Sequence, residues 1–146
     1  MKILNISILN PDTNKPVSVE EWMKDSNPAR AEWILIETDE LKPFLLHKRL
    51  VADGKVFSFQ DALKEGNLLT RAQGLALYEA RQAGINELLS KIDGDTVRGW
   101  VWTCEEDSDP DYASHAWFVY LYYGLVGYST KTNGNQVRLV SAFTSL

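Results

Sequence analysis

Few residues in this chain have the type and spacing to do covalent chemistry. There are two histidines, His47 and His115, far apart in sequence and in no recognised catalytic motif. The single cysteine, Cys104, cannot form an internal disulfide, a CxxC redox pair or a zinc cage. The chain contains no GxSxG elbow, no HExxH helix and no phosphate-cradling loop. The acidic run Glu105 to Asp111 places Asp107, Asp109 and Asp111 at the spacing of the first calcium ligands of an EF-hand. Position six of that frame is Tyr112 instead of Gly, and position twelve is Phe118 instead of Glu, so a solvated loop is expected. The sequence therefore predicts no catalytic residue, no metal and no cofactor.

The chemistry that stands out is that of a contact surface. The chain has five Trp and six Tyr, large amphipathic rings that must fill a core or face a partner. Many gather near the C-terminus. Residues 116–122 alternate, with Trp117, Val119 and Leu121 on one face and Phe118, Tyr120 and Tyr122 on the other. Tyr123, Leu125 and Tyr128 continue the second set, bordered by Ser129, Thr130, Thr132, Asn133 and Asn135. Tyr with Ser, Asn and Gly is the composition of adaptable binding surfaces. Strands also favour aromatic and hydroxyl residues for their own reasons, but six large rings or aliphatic groups on an outer face exceed that tendency. These eleven residues form the expected ligand-binding set, with Trp117 buried and Tyr120 and Tyr122 exposed.

Bulk properties narrow the partner. The length of 146 residues suits one domain with a sizeable core. A net charge of −5 lacks the basic footprint of a nucleic-acid binder and disfavours anionic membranes. No stretch is apolar enough to span a bilayer, and the start does not read as a signal peptide.

The elements that must position this surface are readable in outline. Strands are expected at Ile3 to Leu9, Trp33 to Thr38 and Pro43 to Leu50. Ser18 with Glu21, Ser58, and Thr70 with Gln73 are helix-start signals. The third opens the main helix, which runs to about Ile92 with a break near Gly84. Strands follow at Trp100 to Cys104, Ala116 to Tyr122, Leu125 to Thr130 and Gln136 to Phe143, the last introduced by the hairpin signal Asn133-Gly134. This order predicts an α+β domain with two helices and a C-terminal antiparallel meander. Residues 1–30 read as a segment packed on or attaching a domain of residues 31–146.

The C-terminal residues carry a signature: Trp102-Thr-Cys-Glu105, Ala116-Trp-Phe-Val119, Leu121, Gly124, Lys131 and Val137-Arg138. This resembles the C-terminal domain of collagen-like bacterial adhesins, found in bacterial and phage proteins and similar to the formylglycine-generating-enzyme branch of the C-type lectin fold. The signature spans residues 100–143. More loosely, Ser58 to Ile92 fits the upstream part of that family, and Glu21-Trp22 to Leu46 resembles the start of phage-encoded versions. Thr103-Cys104 departs from the usual Ser-Ser, and Leu139-Val140 stands where a second Arg sometimes follows.

The resemblance implies a C-type-lectin-like domain that recognises a protein or glycan receptor, on a virion, a fibre tip or a bacterial surface. A cytoplasmic location is the alternative. A structural virion or assembly protein, making contacts with neighbouring subunits, is a second reading, and a homo-oligomer is expected. A degenerate enzyme is a third, weakened because Cys104 lacks the second cysteine of formylglycine-generating enzymes. Some members of the fold are diversified by a retroelement that mutates adenines. Positions 118, 120, 122, 123, 125, 127–130 and 132–135 all hold residues reachable in that way from Asn codons. Within this frame Trp102, Trp117 and Val119 are structural, and Glu105 and Arg138 are expected to form an internal ion pair, since a guanidinium fork suits a carboxylate.

Overall fold

A computed structural model describes residues 1–144. The strands are β1 (Ile3–Leu9), β2 (Pro16–Ser18), β3 (Trp33–Thr38), β4 (Phe44–Leu50), β5 (Trp100–Glu106), β6 (His115–Tyr120), β7 (Leu125–Thr130) and β8 (Arg138–Ala142). The α-helices of the described residues are α1 (Val19–Trp22), α2 (Phe59–Leu63), α3 (Arg71–Gln82) and α4 (Ile85–Lys91). They accompany a five-stranded sheet, ordered β2-β1-β3-β4-β8, and a three-stranded sheet, ordered β5-β6-β7. Every pairing between these strands is antiparallel, so the fold is α+β.

Local chemistry explains the helices. Thr70 Oγ1 accepts the Gln73 N–H at 3.1 Å while Gln73 Oε1 accepts the Thr70 N–H at 2.9 Å, the reciprocal cap read from the sequence. Ser18 and Ser58 accept the N–H groups of Glu21 and Asp61 in the same way. The main helix breaks into α3 and α4 at Gly84, whose φ of +93° suits a residue without Cβ.

The larger sheet positions the core. Ile8, Ile34, Ile36, Phe44 and Leu46 join Ala76, Leu77 and Ala80 of α3 and Ile85, Leu88 and Leu89 of α4 in one buried cluster. The middle strands are apolar on both faces, and Leu9, Leu35 and Leu45 form a separate small cluster. The N-terminal 30 residues are built into this sheet, because β1 lies between β2 and β3.

Two expectations fail. Four α-helices stand among the described residues where two were expected, because Gly84 divides the main helix and Ser18 caps a further single-turn helix. The last strand does not close the meander: β8 pairs with β4, through Phe44↔Ala142, Leu45↔Ser141 and Leu46↔Val140. Asn133 and Gly134 do sit in a turn, with the Asn133 N–H donating to the Thr130 carbonyl. The chain then returns beside Phe57, through Asn135, and beside Val101, through Gln136. Burial decides the route. Val137, Arg138 and Val140 are all buried in this position, whereas a strand added outside β7 would leave one side of itself in water.

Candidate recognition surface

The three-stranded sheet has one face against α3. Val101, Val119 and Leu121 are buried there. The helix comes unusually close: a Cβ on Gly74 would lie 2.5 Å from Val119 Cγ2. Trp117 shares this face but is only half-buried, not buried as the alternation predicted. The reason is its neighbour. The Arg71 guanidinium stands 4.3 Å from the Trp117 ring centre, and a charged head group keeps that edge of the sheet in contact with water.

The opposite face is divided. Trp102 and Ala116 are buried with Phe59 and Ala62 of α2, and Phe118 is half-buried against the same cluster. Trp102 Nε1 donates to the Phe57 carbonyl at 2.7 Å and its ring meets Phe59 edge-on. At the other end this cover stops. Trp100 pairs across the ladder with Tyr120, and Tyr120 with Leu125. The Trp100 and Tyr120 rings stack at 4.1 Å with 18° between planes. Tyr122 and Tyr123 approach Tyr120 at 5.7 and 5.3 Å. Trp100 (49%), Tyr122 (47%), Tyr123 (66%) and Leu125 (59%) are exposed. Tyr120, expected to be exposed, is half-buried because Trp100 lies on it.

The turn that carries these rings is held from below. Arg81 of α3 donates from Nη1 to the Leu121 carbonyl at 2.7 Å and lies 5.2 Å from the Tyr122 ring centre. Gly124 has a φ of +65°, and the Tyr78 ring fills the place where its Cβ would be. The surface is thus a set of aromatic groups on a braced turn.

Strand register splits the residues grouped by sequence. Tyr128 pairs with Trp117 and Thr130 with His115, so both lie on the α3 face and not beside Phe118 and Tyr120. There Tyr128 packs edge-on with Trp117, Tyr112 and His115 at 5.4–5.6 Å. Ser129, opposite Ala116, is half-buried, and its Oγ has no hydrogen-bond partner among the described residues. Thr132 and Asn133 are exposed. Asn135 is buried and exchanges backbone hydrogen bonds with Phe57, which removes it from the surface.

The expected ion pair of Glu105 with Arg138 does not form. Glu105 Oε2 accepts from Arg71 instead, from Nε at 2.7 Å and from the backbone N–H at 3.0 Å. It thereby satisfies a free N–H in the first turn of α3. Arg138 is completely buried and donates to four carbonyls, those of His47, Lys48, Asp95 and Thr96, at 2.7–3.2 Å. The His47 and Lys48 carbonyls lie where the β4–β8 ladder shifts register between Leu46 and Leu50, and those of Asp95 and Thr96 come from the segment before β5. Burial pushes the Arg138 pKa down to about 10.

The remaining polar groups are dispersed. Asp107 and Asp109 side chains accept the N–H groups of Asp109 and Asp111, and Glu106 pairs with Lys131 at 2.8 Å. Among the described residues no three His, Cys, Asp or Glu side chains gather as a metal site. Cys104 is exposed at its backbone strand, and partial burial together with Glu105 raises its thiol pKa. His47 packs edge-on to Trp33 in the larger sheet while His115 lies in the smaller one. Burial lowers the His47 pKa, and its Nδ1 accepts the Arg49 N–H. A surface groove of about 1250 Å³ runs over Trp33, Leu35 and Leu45, away from the aromatic turn.

Comparison with protein-family models, with curated proteins and with solved structures finds no match. No helix among the described residues is long and apolar enough to cross a membrane. Sequence reasoning missed Trp100, Arg71 and Arg81. For Trp100 a signal existed: it shares the period-two face of Trp102. The two arginines reach the sheet only through the packing of α3.

Proposed function

We propose that this protein is a ligand-recognition module, and that its contact surface is the aromatic turn of Trp100, Tyr120, Tyr122, Tyr123 and Leu125. One observation carries the reading. Trp100, Tyr122, Tyr123 and Leu125 form an exposed apolar patch around the half-buried Tyr120, on a turn that Arg81 and Tyr78 brace from below. Exposed patches of this kind mark interaction sites, and Tyr and Trp give large contact area at low entropy cost. The partner class is a protein or glycan receptor. The C-terminal signature supports a C-type-lectin-like module of a phage virion or bacterial surface, and the residue types at the turn suit diversification by a retroelement.

The test applies the labelled protein to a glycan array and to intact bacterial cells. The wild-type chain should bind one of them, and Tyr122→Ala/Tyr123→Ala should lose that binding at an unchanged melting temperature. Equal binding by both proteins would overturn the reading.

A further inference from the structure

The three-stranded sheet ends at β7, which pairs with β6 on one side and with no strand on the other among the described residues. Such an edge carries a row of free N–H and C=O groups, and proteins ordinarily blunt it with Lys, Pro, a bulge or a covering element. This edge has none of the residues that do so. Residues 116–130 contain no Asp, Glu, Lys, Arg, His or Pro. The β6–β7 ladder runs without a register shift from His115↔Thr130 to Tyr120↔Leu125. Leu125, Val126 and Tyr128 of β7 are exposed.

We infer that β7 is a self-association edge, which pairs antiparallel with β7 of a second copy of this chain. Charge argues for a second copy. The protein carries a net −5, so most faces of two copies repel, and an uncharged fifteen-residue stretch is where they can meet without doing so. The side chains are also self-complementary. A two-fold axis through Gly127 places Val126 opposite Tyr128 of the second copy, and Leu125 opposite Ser129, each twice. Aromatic with β-branched pairs are favourable cross-strand neighbours, and a two-fold contact of this isologous kind closes on itself as a dimer. Gly127 at the centre presents no side chain, because the Phe118 ring occupies the space where its Cβ would stand.

Sedimentation velocity of the full chain, from micromolar to near-millimolar concentration, tests this directly. The wild type should pass from monomer to dimer. Val126→Lys should stay monomeric with an unchanged melting curve, since that side chain is exposed. Tyr122→Ala/Tyr123→Ala should still dimerise, which separates this contact from receptor recognition. Amide exchange of β7 in the wild-type chain gives a second measurement that needs no variant: protection should rise with concentration. A wild type that stays monomeric, a lysine variant that dimerises equally well, or β7 exchange independent of concentration would each overturn the proposal.

Discussion

The indole of Trp100 lies stacked on the phenol of Tyr120, with ring centres 4.1 Å apart. Tyr120 is therefore both floor of the aromatic turn and part of its support. Tyr120→Ala should lower stability by roughly 1–3 kcal/mol in urea unfolding, because it removes the stack and a half-buried ring. Tyr123→Ala, at a side chain facing water, should stay within about 0.5 kcal/mol of wild type. Equal effects from the two substitutions would mean that the stack does not organise the turn.

Arg138 ties β8 to the irregular end of β4 and to the segment before β5. Removing it leaves the carbonyls of His47, Asp95 and Thr96 without their donor, while Lys48 keeps the Asp95 N–H. Arg138→Ala should cost about 3 kcal/mol or more, since each buried acceptor left unsatisfied costs about 1–3 kcal/mol. Glu105→Gln should cost no more than about 1 kcal/mol, because the Glu105–Arg71 pair is partly exposed. The reverse order would contradict the anchoring role of Arg138.

Helix propensity alone favours Gly74→Ala by up to about 1 kcal/mol. The added Cβ would sit 2.5 Å from Val119 Cγ2, and overpacking of this kind costs about 1–3 kcal/mol. The variant should be less stable than wild type by chemical denaturation. A gain in stability would show that α3 can move off the sheet freely.

Acid should weaken the fold through His47. Its folded pKa lies below the ordinary value of 6.5, chiefly because burial disfavours the imidazolium. A group depressed in this way contributes fully above its unfolded pKa, and the contribution is lost as pH falls through the folded pKa. The melting temperature should therefore begin to fall below about pH 6.5, ahead of the carboxylates. His47→Gln should remove that early fall, and an unchanged acid profile in the variant would assign it elsewhere.

The fold class was legible because its signals are local. Thr70 with Gln73, Gly84 and the period-two run from Trp117 to Leu121 each act within a few residues. The partners of β8 were not legible. Asn133-Gly134 specifies a turn, but whether the next strand joins β7 or β4 depends on where Val137 and Arg138 find burial. The surface was half legible for a similar reason. Alternation along β6 sorts Trp117 from Tyr120, but only the β6–β7 register reveals that Tyr128 lies with Trp117. Likewise, nothing in sequence spacing links Glu105 to Arg71, which the docking of α3 brings together.

Binding of the Tyr122→Ala/Tyr123→Ala protein to intact bacterial cells and arrayed glycans, measured beside its melting curve, tests the central claim most directly. Hot-spot aromatics carry roughly 2 kcal/mol or more each, so the double variant should bind at least about a hundredfold more weakly and melt with the wild type. Undiminished binding to whatever the wild type recognises, at the same melting temperature, would contradict the account.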